Sequence, residues 1–410
     1  MRKSILVILL FILWCSSIFA QAPYLVLVSF DGFRFDYAEK TSTPNLSLIQ
    51  KNGFKSGFLK PSFPSQTFPN HITLATGLHP EHHGIISNSF YAPDLKKSFT
   101  LADRSAVTNP DFYLGEPIWK TVQRFGKKSA SYFWAGSEAI RSDYYFTYYQ
   151  NAPYDDRISG LKEWISLPHS ERPSVIALYF EDVDTKGHNF GPNNKETLKA
   201  VMDADLTIGK IMETIEKSGL KDSTNLVIVS DHGMTELKVC NEINLEPVFE
   251  KLPKSALVNR YYSTSSIYLP ANLVDSVFAS LPEIDHVTKV KRKNADPKYH
   301  IEDAIRYGDI LFIPDLGYSF RNEGFWTKAG KWKDELFGVY NSGHGFDPEN
   351  SDMWGIFYAI GPSIKPNSSV DFANSVDVYP FCLDLLGLPL DHKIDGNSVK
   401  LKETVFLKSK

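Results

Sequence analysis

Five stretches of the chain are nearly unbroken runs of apolar side chains, at residues 24–30, 129–134, 175–180, 226–230 and 354–360. Runs without polar alternation predict strands covered on both faces. Between them lie stretches with helical spacing, at 43–52, 158–165 and 196–218. Strand and helix in alternation predict a mostly parallel sheet between helical layers. From residue 242 to 341 the pattern changes to short strands (265–269, 310–313), one helix (272–281) and many turns. This stretch reads as a smaller α+β insertion, which divides the α/β body into residues 21–241 and 342–410. The basic run Lys289, Lys291, Arg292 and Lys293 within it reads as a solvated edge.

Composition adjusts this picture little. A chain of 410 residues, 42% hydrophobic and 22% charged, has room for one large domain with an insertion. A net charge of -4 gives no basic field for a nucleic-acid duplex, so a charged substrate has to be held by local chemistry. Residues 1–20 stand apart: Arg2 and Lys3, an apolar run, then small residues up to Ala20. That order predicts a cleaved signal peptide, a secreted or periplasmic protein, and no stable membrane anchor after cleavage. Cleavage leaves Cys240 and Cys382, too few for a disulfide-stapled fold and in no metal-ligand spacing.

Candidate chemistry gathers where strands end. The first run leads into Asp31; the third into Glu181, Asp182 and Asp184, with His188 four residues on; the fourth into Asp231 and His232. In a parallel sheet, ligands bind beyond the carboxyl ends of strands. One such aspartate alone reads as a turn or helix cap. The same feature on three strands concentrates negative charge that calls for a cation. A mixed Asp/His set suits zinc.

A second element is the segment 61–80, in which Thr67 opens a helix at 67–76 with Pro69 in its first turn. The local reading of Thr67 is a helix N-cap. A helix start also offers N–H groups and partial positive charge to an anion, and a metal beside the hydroxyl would make it a nucleophile.

Together these motifs carry a resemblance: SFDGFR (29–34), PSFPSQTFPNH (61–71), TGLHPEHHGIISN (76–88), YFEDVDTKGH (179–188), SDHGM (230–234) and SGHG (342–345). In that order they resemble the nucleotide pyrophosphatase/phosphodiesterase family of the alkaline phosphatase superfamily, in an exported member of bacterial type. The resemblance spans residues 24 to 390 and implies an alkaline-phosphatase-like α/β/α sandwich. It implies two Zn2+ ions, one held by Asp184, His188 and His344, the other by Asp31, Asp231, His232 and the Thr67 oxygen. Asn88 matches the family's donor to a phosphoryl oxygen, Phe68 and Tyr148 its nucleobase-sandwiching pair, and Tyr179 a tyrosine near the site. His344 is identified by the resemblance alone. His71, His79, His82 and His83 read as helix, turn or surface residues, and Glu181 and Asp182 as acids without a ligand role. Ala135 stands where many members have proline, which leaves the shape of the pocket wall open.

The implied reaction is in-line attack by Thr67 through a phospho-threonine intermediate, releasing a nucleoside monophosphate from a small phosphodiester or pyrophosphate. The motifs supply Thr67 and Asn88 at the phosphoryl group and set no arginine beside them for the extra charge of a monoester. A glycerophosphodiesterase or lysophospholipase C, or a phosphomonoesterase, remains open on the same site, as does a non-catalytic zinc-binding protein. A sulfatase is disfavoured, because Thr67 stands where those enzymes need a modified Cys or Ser.

Overall fold

The computed structural model describes residues 24–321 and 341–407. The expected signal segment therefore lies outside the described residues. No described helix is long and apolar enough to cross a membrane.

An eight-stranded sheet forms the body. In chain order its strands are β1 (Tyr24–Phe30), β2 (Phe54–Ser56), β3 (Ser129–Tyr132), β4 (Tyr144–Phe146), β5 (Val175–Phe180), β6 (Thr224–Val229), β7 (Phe357–Ile360) and β8 (Ser368–Val370). Their spatial order is β8-β2-β7-β6-β1-β5-β3-β4. β1 pairs in parallel with β5 and β6, β3 with β5 and β4, and β2 with β8. The last of the five apolar runs is the exception: β7 lies antiparallel to both β6 and β2. An apolar run records burial and carries no direction, so this reversal had no signature in the pattern.

The unbroken apolar character of β1 has a direct cause. Leu25 and Leu27 pack with Val175, Ala177 and Val227 into a core on one face. Val26, Val28 and Phe30 pack with Ile176, Leu178 and Ile228 on the other. The longer helices among the described residues are α1 (Pro44–Asn52), α2 (Thr67–Thr76), α3 (Tyr154–Ile165), α4 (Asp182–Phe190), α5 (Lys195–Lys217) and α6 (Val378–Leu386). Leu74 of α2 and the apolar side of α6 join the first core; Ile49 of α1, Leu161 of α3 and Ile208 of α5 join the second. The result is the expected alkaline-phosphatase-like α/β sandwich.

A separate four-stranded antiparallel sheet contains Leu257–Asn259, Ser265–Tyr268, Ile310–Pro314 and Val287–Lys291, in that spatial order. Ile310 and Phe312 enter its own core with Ile267 and Val277. The alternate residues Leu311 and Ile313 pack against Phe63, Ile85 and Phe90 of the body. Period-two alternation along one strand thus fastens this sheet to the loops and the hairpin that carry Phe63, Ile85 and Phe90. Its basic strand lies at an edge, with Lys289 and Lys291 paired to Glu283 and Asp275, and Arg292 buried. The short strand Thr235–Leu237 pairs antiparallel with Asn341–Gly343, which brings the chain back beside the end of β6.

Candidate metal centre and nucleophile

Adjacent parallel strands β6, β1 and β5 end together, and their trailing acids meet. Asp31 follows β1 with its N–H on Phe180 O (2.9 Å). Gly32 takes φ +65°, and a Cβ there would come within 2.9 Å of the Asp184 backbone. Only glycine lets these two carboxylate-bearing turns approach so closely. Asp184 and His188 share one face of α4, with His188 Nε2 3.4 Å from Asp184 Oδ1. Asp231 and His232 follow β6; His232 Nε2 lies 3.1 Å from Asp231 Oδ2 and 3.4 Å from Asp31 Oδ1. His344 arrives just beyond Asn341–Gly343, its Nε2 3.2 Å from His188 Nε2 and its ring stacked on His232 at 3.7 Å.

The imidazoles share a second feature. His188 Nδ1 lies 2.8 Å from Ser342 O, His344 Nδ1 2.9 Å from Ser65 O, and His232 Nδ1 2.9 Å from Gly233 O. A carbonyl at Nδ1 fixes the proton there and turns the Nε2 lone pair toward the neighbouring ligand groups, as metal-binding histidines require. The carboxylates complete the pattern: Asp31 Oδ1, Asp184 Oδ1 and Asp231 Oδ2 are buried oxygens without a hydrogen-bond partner. Burial, then the neighbouring acids Asp231 and Asp184, holds Asp31 well above the usual carboxylate range; burial and Asp184 do the same to Asp231. Burial and His344 push His232 down, and burial takes His344 to about 4. Such a cluster resists ionisation without a cation and satisfies one readily, so these residues fit divalent metal. Two triads have ligand atoms mutually close enough to share an ion: Asp184, His232 and His344, and Asp31, Asp231 and His232. His232 belongs to both, and His188 adjoins the first through Asp184 and His344.

Thr67 occupies the first helical position of α2, and Gln66 is the N-cap residue, with no side-chain capping bond. The N-cap reading of Thr67 is therefore corrected: its Oγ1 faces the metal-ligand cluster, 3.3 Å from His232 Nε2. Capping comes from across the site, where Asn88 Oδ1 accepts the Phe68 N–H at 3.0 Å. That N–H, which the sequence reading left available to an anion, already has a partner. Gln66 Oε1 in turn accepts the Asn88 N–H (2.8 Å) and the Ser87 hydroxyl (2.9 Å). Asn70 braces the preceding loop through Ser62 N and the Pro64 and Gln66 carbonyls.

Tyr179 donates its hydroxyl to Asp31 Oδ2 at 2.7 Å, so it holds a carboxylate. Phe68 packs 5.9 Å from Phe99, whereas Tyr148 packs edge-on to Phe133 at 5.2 Å on the other apolar cluster. Neighbouring Tyr149 points away to Asp156. Of the acids set aside, Glu181 pairs with buried Arg157, which also bonds Ala152 O. His71 is more central than a helix residue need be. Fully buried, it lies 3.2 Å from Asp231 Oδ2, with Nδ1 on Thr67 O (2.8 Å) and Nε2 on Ser29 Oγ (2.9 Å). Both its nitrogens are engaged, so it supports the cluster from behind. His83 is buried on Thr73, and His82 is a surface residue on Asp395. Cys240 and Cys382 are separate thiols, one exposed and one buried.

Comparisons with known proteins identify the family and the fold. The family profile described as type I phosphodiesterase / nucleotide pyrophosphatase matches residues 25–339. The venom phosphodiesterase of Macrovipera lebetinus is 33% identical over 385 residues, covering 91% of this chain and 44% of that protein. Bovine ectonucleotide pyrophosphatase/phosphodiesterase family member 3 is 30% identical over 380 residues, covering 89% and 42%. The chain thus spans less than half the length of these curated relatives. Murine ectonucleotide pyrophosphatase / phosphodiesterase 5 superposes with a TM-score of 0.82 at 28% identity, covering 93% of this chain and 100% of that one. A further structure of that murine protein, with the same TM-score, identity and coverage, is an inactive threonine-to-alanine form in complex with AMP.

Proposed function

Because the chain belongs to the type I phosphodiesterase / nucleotide pyrophosphatase family, we propose that it is a hydrolase of nucleotide phosphodiester and pyrophosphate bonds that uses Thr67 as nucleophile. The observation that carries this reading is the Thr67 hydroxyl, 3.3 Å from His232 Nε2 at the edge of a cluster with three unpartnered carboxylate oxygens. Two Zn2+ ions suit the mixed donors: Asp184, His188 and His344 for one, and Asp31, Asp231, His232 and Thr67 Oγ1 for the other. When bound, such ions lower the pKa of the threonine hydroxyl and offset charge on the attacking and leaving oxygens.

The chain's own groups do the remainder. Thr67 Oγ1 forms its bond to phosphorus as the bond to the leaving oxygen breaks, which leaves a nucleoside monophosphate esterified to Thr67. Water then cleaves that ester and restores the threonine. Asn88, fixed through Oδ1 and its own N–H, turns Nδ2 toward a non-bridging oxygen. Tyr179 keeps Asp31 oriented throughout. Phe68 and Tyr148 form the walls of a base-tolerant stacking site. A diester is favoured over a monoester because nearby arginines are committed elsewhere: Arg34 to Asp36 and Asp352, and Arg157 to Glu181. The relatives' names and the neighbour's AMP complex support a nucleotide substrate. The amino-terminal segment supports export.

The deciding experiment compares parent and Thr67→Ala on nitrophenyl thymidine phosphate, nitrophenyl phosphate, a dinucleoside polyphosphate and lysophosphatidylcholine. We expect the nucleotide diester to lead and the variant to lose about a thousandfold or more in kcat/KM. Undiminished turnover in Thr67→Ala, or a monoester preferred by orders of magnitude, would overturn the reading.

A further inference from the structure

The tip of a hairpin in the smaller sheet reaches into this centre. Between strands Leu257–Asn259 and Ser265–Tyr268, the consecutive residues Tyr261, Tyr262 and Ser263 each touch a different part of the site. Ser263 Oγ accepts from Gln66 Nε2 (3.3 Å), and Gln66 holds the Asn88 N–H. Tyr262 grips the backbone of His344 in both directions: its oxygen accepts the His344 N–H (3.1 Å) and its hydroxyl donates to His344 O (2.8 Å). Tyr261 places its hydroxyl 3.4 Å from Asn88 Nδ2, on the amide end that faces the phosphoryl group in the reading above. The hairpin is anchored beside it by Asn259 Nδ2 on Ser89 O (3.0 Å).

Tyr262 and Ser263 have plain structural employment; Tyr261 does not. Its phenolic oxygen accepts the long contact from Asn88, and among the described residues no acceptor takes its proton. Removal from solvent pushes the phenol up to about 12, with Asp184 adding to the shift, so the group is a neutral donor at any working pH. Nothing in the sequence motifs marks Tyr261, because it lies in the segment set apart as an insertion.

We propose that Tyr261 is a further catalytic residue, whose hydroxyl donates to a non-bridging phosphoryl oxygen beside Asn88 Nδ2 while Thr67 attacks. The proposal rests on the phosphodiesterase reading of the site. It makes the smaller sheet a working part of the centre, supplying one donor directly and holding His344 and Gln66 through the next two residues. A neutral phenol suits the singly charged phosphoryl group of a diester, where a second cation is not required.

Tyr261→Phe keeps the ring, which packs 4.9 Å from Tyr262, and removes only the hydroxyl. With nitrophenyl thymidine phosphate, kcat/KM should fall about tenfold to a hundredfold while metal content and melting temperature stay at parent values. Orthovanadate, a mimic of the five-coordinate phosphorus, should bind more weakly by a similar factor in the metal-loaded variant. Tyr262→Phe serves as the contrast, since loosening His344 should lower metal content. Tyr261→Phe within twofold of the parent in both turnover and vanadate affinity, alongside an inactive Thr67→Ala, would overturn the Tyr261 role and leave the hydrolase standing. Equal turnover by parent and Thr67→Ala would instead remove the hydrolase reading and this proposal with it.

Discussion

At the scale of the residue, position within a helix decides what a hydroxyl can do. A threonine at the N-cap ordinarily accepts a backbone N–H from the first turn. Thr67 lies one position further in, and Asn88 accepts the Phe68 N–H in its place. In the proposed mechanism Asn88 therefore has two separable roles, one per end of its amide. Asn88→Asp keeps an oxygen for Phe68 and loses the Nδ2 donor, so thermal stability should stay near the parent's while kcat/KM drops about a hundredfold. Asn88→Ala should lose the same activity and, in addition, about 1 kcal/mol of stability, read by denaturant titration. Equal melting of the two variants would show that the cap contributes nothing. A second residue-scale effect belongs to His83, which burial pushes from 6.5 down to about 3. The unfolded chain takes up a proton there that the folded chain refuses. Its contribution is intact above about pH 6.5 and erodes as pH falls from there toward 3. Between pH 6 and 4, chelator-treated His83→Gln should lose stability less steeply than the parent, by about 1.4 kcal/mol per pH unit.

At the scale of the element, legibility followed the kind of signal each segment carries. The bounds of β1, β5 and α2 agree with their patterns, because two-sided burial leaves an uninterrupted apolar run and a glycine closes α2. The acids after β1, β5 and β6 could be found because strands point at them. The loop that delivers His344 has no periodicity, and its glycines are its only local mark. Gly345 takes φ +97°, and a Cβ there would meet Ser263 Oγ at 2.3 Å and Gln66 Cγ at 3.0 Å. The glycine lets the hairpin tip and the N-cap residue of α2 close together around the histidine. Gly345→Ala should therefore cost about 1–3 kcal/mol and lower metal occupancy, measured by elemental analysis after gel filtration. Full occupancy in that variant would mean that the loop tolerates the intrusion. The role of His71 was missed for a different reason: a histidine within an amphipathic helix looks the same whether it faces a core or the back of a metal ligand.

At the scale of the whole molecule, the folded body carries a concentrated set of acids and imidazoles that a divalent cation would reconcile. Asp31, Asp184 and Asp231 each leave a buried oxygen unpaired. Metal binding should accordingly act as folding free energy. Chelation should lower the melting temperature, and added Zn2+ should restore it in proportion to the logarithm of free metal. A saturating excess of about a hundredfold over Kd is worth about 2.7 kcal/mol. A melting temperature indifferent to chelator would mean that the cluster is satisfied by protons alone.

The pairing of Thr235–Leu237 with Asn341–Gly343 has a consequence in time. The triad of Asp31, Asp231 and His232 is assembled by neighbouring strands of one sheet. His344 reaches its place only once a loop of about a hundred residues has closed, a slow kind of contact to make. During synthesis and folding, the triad of Asp31, Asp231 and His232 can be in place while His344 has still to arrive. Exit and return of that long loop are hydrogen-bonded neighbours, so its contents away from the tip at Tyr261, Tyr262 and Ser263, where Tyr262 holds the His344 backbone, can change over evolutionary time without moving a ligand. A segment whose ends never part can thus be rewritten around a fixed tip, a stretch that His344 needs to keep its place.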